Sequence, residues 1–148
     1  MSKAGLVNIS FGVESGDQEV LNKINKKVKL ESYFHATKWA HKWGIKVRYL
    51  LMVGLSYQDE RSIDKTIDFL RYAKPDDIMC HYFTPYPGSE IAMNLNKYGI
   101  TVLPHTMEQL RMRDEVIIKT KWLSKEQILN AKKKILQKFN EIITMQKR

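Results

Sequence analysis

The sequence predicts an α/β fold in which parallel strands alternate with helices, and three observations carry that reading. Runs rich in β-branched and aromatic residues, "VNISFGVE", "KVRYLLMVG" and "DIMCHYFT", begin near Val7, Lys46 and Ile78. Segments of helical period separate them. The strand starts recur at close to the roughly 30 residues of one βα unit in barrels and doubly wound sheets. Strands joined through helices pair in parallel by right-handed crossovers.

In the first unit Val7, Ile9, Phe11 and Val13 alternate with Asn8, Ser10, Gly12 and Glu14, the period of a strand with one apolar and one polar face. Ser15 with Gln18 reads as a capping box opening a short helix with Val20, Leu21 and Ile24 inward. A second helix, from about Glu31 to Trp43, is expected to bury Phe34, Trp39 and Trp43 and to stop at Gly44. The second strand leads through "LSYQDE" to a helix of about Asp59 to Tyr72 that turns Ile63, Ile67 and Leu70 inward. Pro75 introduces the third strand, which runs into "PYPGSE" and a helix ending at Gly99. Between residues 100 and 123 only "EVIIKTKWL" is patterned, as extended chain. Ser124 and Gln127 form another capping box before a long helix whose Ile128, Ala131, Ile135, Phe139, Ile142 and Ile143 make one stripe.

The 148 residues are enough for one domain with a sizeable core, and 43% hydrophobic residues are those of a globular chain. No apolar run approaches the ~18 residues that span a bilayer, so no membrane association is expected. "MSKAGLVNIS" has no signal-peptide apolar segment, and with one cysteine a cytoplasmic location is expected. The net charge of +9 would suit a nucleic-acid partner. The lysines of "LNKINKKVK" and "NAKKKILQK" are interrupted by apolar residues of helical period, as on solvated faces, which argues against one.

Parallel strands are usually apolar on both faces. Here Asn8, Ser10 and Glu14 share one face of the first strand, and Lys46 and Arg48 repeat the pattern on the second. A polar inner face suggests a ligand-lined or solvated lumen with its site at the C-terminal strand ends. A small one-sided sheet with its polar face in water is the alternative. The glycines around Glu14 favour a functional carboxylate, because they let backbone or ligand approach a strand end closely.

Three segments in order, "ISFGVESGDQEVLNKINKK", "GIKVRYLLMVGLSYQDE" and "PDDIMCHYFTPYPGSEI", resemble the fourth, fifth and sixth βα units of the radical S-adenosylmethionine enzymes. They are most similar to the cobalamin-binding branch that includes the anaerobic magnesium-protoporphyrin IX monomethyl ester oxidative cyclases. The resemblance implies half of a (β/α)6 partial barrel in residues 1–100. Residues 101–148 then form an extended segment and a C-terminal amphipathic helix. It also implies a parent oxidoreductase or transferase that uses S-adenosylmethionine and a four-iron, four-sulfur cluster on a small-molecule substrate, with cobalamin use left open. Glu14 matches the position that contacts the ribose hydroxyls, and Lys26 the basic position that pairs the methionyl carboxylate. Ser10, Val53, Gly54, Thr84 and Pro85 complete the expected cofactor-binding set, Val53 and Gly54 through backbone beside the adenine.

Two departures stand out. Gly54 is followed by Leu55, Ser56, Tyr57, Gln58 and Asp59 where the family has "GLPGET". The three-cysteine cluster loop and the first three βα units have no counterpart, and "MSKAGLVNIS" looks like the end of the preceding helix. A fragment inactive on its own is therefore expected, with no catalytic residue and no metal ligand assigned. The alternative is a non-catalytic half-barrel binding or assembly module. Cys80 is expected to be a buried hydrophobe and His81 a hydrogen-bonded structural histidine. His35 and His41 lie on different faces of one helix. Open sheet edges lead to an expectation of homo-oligomers.

Overall fold

Alternation along the strands decides which face of the sheet is buried. The computed structural model describes residues 5–111 and 115–146. Of the helix end expected in "MSKAGLVNIS", residues 1–4 lie outside the described residues and residues 5–7 are turn and coil. Strands β1 (Asn8–Glu14), β2 (Lys46–Val53) and β3 (Asp77–Tyr82) form one parallel sheet in the order β1-β2-β3. Val13, Val47, Tyr49, Leu51, Val53, Ile78, Cys80 and Tyr82 are buried on one face. The register sets Ser10 beside Arg48 and Arg48 beside Asp77, then Gly12, Leu50 and Met79 in a row, then Met52 beside His81. The open face thus passes from charged at the N-terminal strand ends to apolar halfway up. Val7, expected on the covered face, precedes β1 and is exposed.

After β1 come α1 (Gln18–Lys23) and α2 (Leu30–Lys42), and after β2 comes α3 (Glu60–Ala73). The cap of α1 is Asp17 rather than Ser15, its carboxylate accepting from the Glu19 amide at 3.0 Å. Ser15 instead accepts from the Asp17 amide in the turn before the helix. The face of α2 that meets the sheet is Tyr33, Thr37 and Ala40, and Trp39 and Trp43 are exposed, contrary to expectation. The reason is a buried polar bond. The Tyr49 hydroxyl donates to the Tyr33 carbonyl at 3.2 Å, which leaves Thr37 to donate to it at 2.6 Å. Satisfying two buried hydroxyls outweighs turning an indole inward. Phe34 is half-buried and stacks on Tyr72.

Asp59 caps α3 in a reciprocal capping box with Ser62, and Ile63, Ile67 and Leu70 are buried as the periodicity predicts. The helix expected to run to Gly99 is only α4 (Glu90–Met93) followed by turns. The Asn94 side chain donates to the Glu90 carbonyl at 2.9 Å and competes with helix propagation. β4 (Ile100–Val102), which sequence pattern does not signal, pairs antiparallel with β5 (Ile118–Thr120), and α5 (Met107–Arg111) lies between them.

The long final helix α6 (Lys125–Gln146) packs against α3 and β3, on the side that α4 is too short to cover. Its Ile128, Ala131, Ile135, Phe139 and Ile142 join the core formed by Ile78, Cys80, Tyr82 and the inward face of α3. Ser124 and Gln127 close the expected capping box at its start, at 2.9 and 3.2 Å. Three parallel βα units and a long C-terminal helix, as predicted, make up the architecture. Because Ile135 is 1% exposed at the centre of this contact, Ile135→Ala should destabilise the fold by about 2–5 kcal/mol. Equilibrium urea unfolding, with the slope unchanged, measures it.

Candidate functional site

The C-terminal end of β1 leaves regular strand geometry. Glu14 has φ of 67° and the register with β2 shifts between Gly12 and Glu14, the mark of a bulge. The bulge folds the Glu14 side chain back over Gly12. A Cβ at residue 12 would stand 2.9 Å from Glu14 Oε1 and 3.5 Å from Lys26 Nζ, so a larger residue there would push this carboxylate from its place. Gly16 has a different role. Its Cβ would meet the Thr66 backbone at 2.5 Å, and its amide donates to Thr66 Oγ1 at 3.0 Å. Lys65 then donates to both oxygens of Asp17 at 3.1 Å. Together these contacts fasten the turn after Glu14 to α3.

Lys26 is placed by the end of α1. The Asn25 amide donates to the Asn22 carbonyl at 3.1 Å and the Lys26 amide to the Leu21 carbonyl at 2.8 Å, with Asn25 at φ 59°. This is a Schellman closure with asparagine in the left-handed position. Gln18 holds the other side of the loop, accepting from the Leu30 amide at 2.8 Å and donating to the Val28 carbonyl at 3.1 Å. Lys26 Nζ lies 3.1 Å from Glu14 Oε1, with side chains 31% and 17% exposed. Glu14 Oε2 is buried and has no hydrogen-bond partner. The Tyr33 hydroxyl donates to the Gly12 carbonyl at 2.8 Å. Burial raises the Tyr33 phenol above its ordinary pKa, against a lowering by Lys26 and with a smaller rise from Glu14.

A carboxylate with one oxygen paired and the other unsatisfied accepts hydroxyl or amine donors, and an ammonium using one of three donors can still bind an anion. Residues 1–70 match the Radical SAM superfamily. That stretch holds both Glu14 and Lys26. The chain is 29% identical over 93 residues to the anaerobic magnesium-protoporphyrin IX monomethyl ester cyclase of Rubrivivax gelatinosus, covering 63% of this chain and 17% of that protein. It is 26% identical over 114 residues to the oxygen-independent coproporphyrinogen III oxidase of Helicobacter pylori, covering 76% and 24%. Among solved structures, coproporphyrinogen III oxidase from Escherichia coli, a radical SAM enzyme, superposes with a TM-score of 0.63 at 18% identity, over 93% of this chain and 28% of that one. The chain thus spans about a fifth of the length of the curated relatives it matches.

The other expected residues separate. Ser10 lies two residues into β1, in a cleft of about 750 Å³ at the N-terminal strand ends with Asn8, Lys46 and Arg48, away from Glu14. Val53 is buried and its carbonyl accepts from the Phe83 amide at 2.8 Å. The side of Gly54 that a Cβ would occupy is filled by Ile118 and Ile128. Gln58, at the departure from the family pattern, is 1% exposed. It accepts from the Gly54 and Leu55 amides and donates to the Met52 carbonyl, so it closes the loop by itself. Thr84 is half-buried and Pro85 buried just beyond β3.

His81 corrects an expectation: its Nδ1 is buried without a hydrogen-bond partner. Its place on the open face follows from the strand period, whereas the unpartnered Nδ1 depends on packing. His35 pairs with Glu31, and His41 with Asp76 at 2.8 Å. Among the described residues no group of three metal-ligating side chains converges. Cys80 faces the core, and burial pushes its thiol up to about 12 despite a lowering by Lys132. At pH 8 the native chain should therefore resist a thiol-reactive disulfide reagent, and one equivalent should react after unfolding in guanidinium, read by absorbance.

Proposed function

We propose that this chain supplies the S-adenosylmethionine-binding half of a radical SAM barrel and that the cluster thiolates come from polypeptide outside these residues. The observation that carries the reading is the pair at the end of β1. Glu14 Oε2 is buried and unpartnered while Lys26 holds Oε1. Glu14 accepts from the ribose diol, and Lys26 retains donors for the methionyl carboxylate. Tyr33 holds the Gly12 carbonyl and keeps the bulge from relaxing toward a regular strand. The turn anchored at Gly16 keeps the clamp at the strand end. When bound beside a reduced cluster, S-adenosylmethionine supplies radical chemistry that the protein only orients.

The residues do not fit the cluster itself. The chain has one cysteine, and its core position and raised thiol pKa do not suit a thiolate ligand. The parent activity belongs to the oxidoreductases and transferases of this superfamily, of which the porphyrin-pathway names of two relatives are examples. No helix among the described residues is long and apolar enough to cross a membrane.

Calorimetric titration with S-adenosylmethionine tests the clamp. Binding should weaken roughly tenfold or more in Glu14→Ala, the scale of a hydrogen bond to a charged group, and also in Lys26→Ala. Unchanged affinity in both variants would remove the reading. Anaerobic reconstitution with iron and sulfide should leave the chain without a stoichiometric cluster. The proposal extends to self-association, because β1 and β3 are edges of a three-stranded sheet. Light scattering should show a mass above the monomer at high concentration, and a clean monomer would count against it.

A further inference from the structure

Each end of the parallel sheet has a free strand edge with an uncovered apolar helix flank above it. α2 rests on β1 and β2 through Tyr33, Thr37 and Ala40. One of its flanks meets α3 and the start of β3, where Phe34 stacks on Tyr72 and His41 pairs with Asp76. Ser32, Ala36, Trp39 and Trp43 make up the other flank, at alternating spacings of four and three residues. That flank lies toward the outer edge of β1, and its Trp39 and Trp43 are 71% and 54% exposed. Two indoles on one stripe beside an unpaired strand mark an interaction surface.

α6 repeats the arrangement at the other end. Its Gln127 and Lys134 reach Glu60 and Asp64 of α3. The opposite flank, Lys133, Leu136, Asn140 and Ile143 at spacings of three and four, therefore faces past β3, whose outer edge pairs with no strand among the described residues. Leu136 and Ile143 are half-buried. Ile128 sits beside Gly54 at the C-terminal strand ends, and Ile143 lines the cleft with Lys46 at the N-terminal ends. α6 thus runs in the same direction as α2, and stripes of this spacing pack side by side at shallow angles.

We infer that two copies of this chain close into a ring of six parallel strands. β3 of each copy pairs with β1 of the other, and the Leu136–Ile143 flank of its α6 packs on the Trp39–Trp43 stripe. The inference rests on the self-association proposed above and deepens it by naming the surfaces, and it uses nothing of the clamp. A second copy is the occupant because one chain carries both halves of the junction, on the same face of the sheet. A head-to-tail contact of this kind leaves no edge once the ring closes. At those exposures the four indoles of a pair cover roughly 500 Å², and the α6 flanks facing them bring the helix contacts to about 1,000 Å², before strand edges complete an interface of standard size, ~1,600 Å². The open face that carries Glu14 becomes the wall of a lumen closed by the second copy.

Sedimentation of the intact chain should show two copies per particle. Joint substitution of Trp39→Glu and Trp43→Glu, both at exposed positions, should raise the dissociation constant tenfold or more, with thermal unfolding reporting the fold of the variant. Lys133 lies about as far up α6 from Ile143 as Ser32 lies up α2 from Trp43. Ser32→Cys mixed with Lys133→Cys should therefore form a disulfide-linked pair under mild oxidation, while neither variant links to itself and Cys80 stays buried. A disulfide in Ser32→Cys alone would mean that α2 meets α2, and masses climbing past two copies would mean that the ring does not close; either result overturns the inference. A dimer unchanged by the tryptophan substitutions also overturns it and moves the self-association to another surface. A monomeric native chain leaves the two flanks to a different polypeptide and removes inference and self-association together, whereas calorimetry with S-adenosylmethionine on the same sample judges the clamp separately.

Discussion

A non-glycine residue at φ 67° costs on the order of 1–2 kcal/mol, and Glu14 holds that conformation at the end of a strand whose other residues are ordinary. The surroundings over-determine it. Lys26 pulls on one carboxylate oxygen, Tyr33 holds the Gly12 carbonyl below, and Gly16 is pressed against α3 above. Relaxing Glu14 to a β conformation would break the bulge and carry the carboxylate off Gly12. The position of the clamp and the unpartnered oxygen both follow from that one strained residue.

Much of the fold was legible because the signals were periodic. The outward residues of β2, the inward face of α3 and the stripe of α6 needed only alternation or a 3.6-residue repeat. What escaped the sequence depended on partners far along the chain. Trp39 and Trp43 face out because Thr37 is required by Tyr49, and nothing local to α2 announces that bond. Gln18 looked like half of a capping box with Ser15 and instead caps the next helix through the Leu30 amide. At the site, Glu14 and Lys26 were readable from their motif, and the structure brings them to 3.1 Å. Ser10 was readable only as a member of the polar face, which has two ends, and it lies at the other one. His81 could be assigned to the open face by strand period, but its empty Nδ1 depends on packing no local pattern encodes.

The loop after β2 is closed by one side chain. The Gln58 carbonyl oxygen accepts from the amides of residues 54 and 55 and its NH2 donates to the Met52 carbonyl, all within the loop. An amide side chain thereby completes a turn in place of the family's proline and glycine, whose effect comes from restricted or permissive backbone. The loop is closed by a neutral amide, without a charged side chain at residue 58. Electrostatics at this end of the sheet then centre on the Glu14–Lys26 pair.

The cover that α6 lays over β3 orders events in time as well as space. Residues 128–142 complete a core whose first member is Val13. During synthesis the β3 side of the apolar face stays open until residues 128–142 have been made, although α2 and α3 cover the rest earlier. Long-range closure of this kind slows folding and lengthens exposure of unpaired edges.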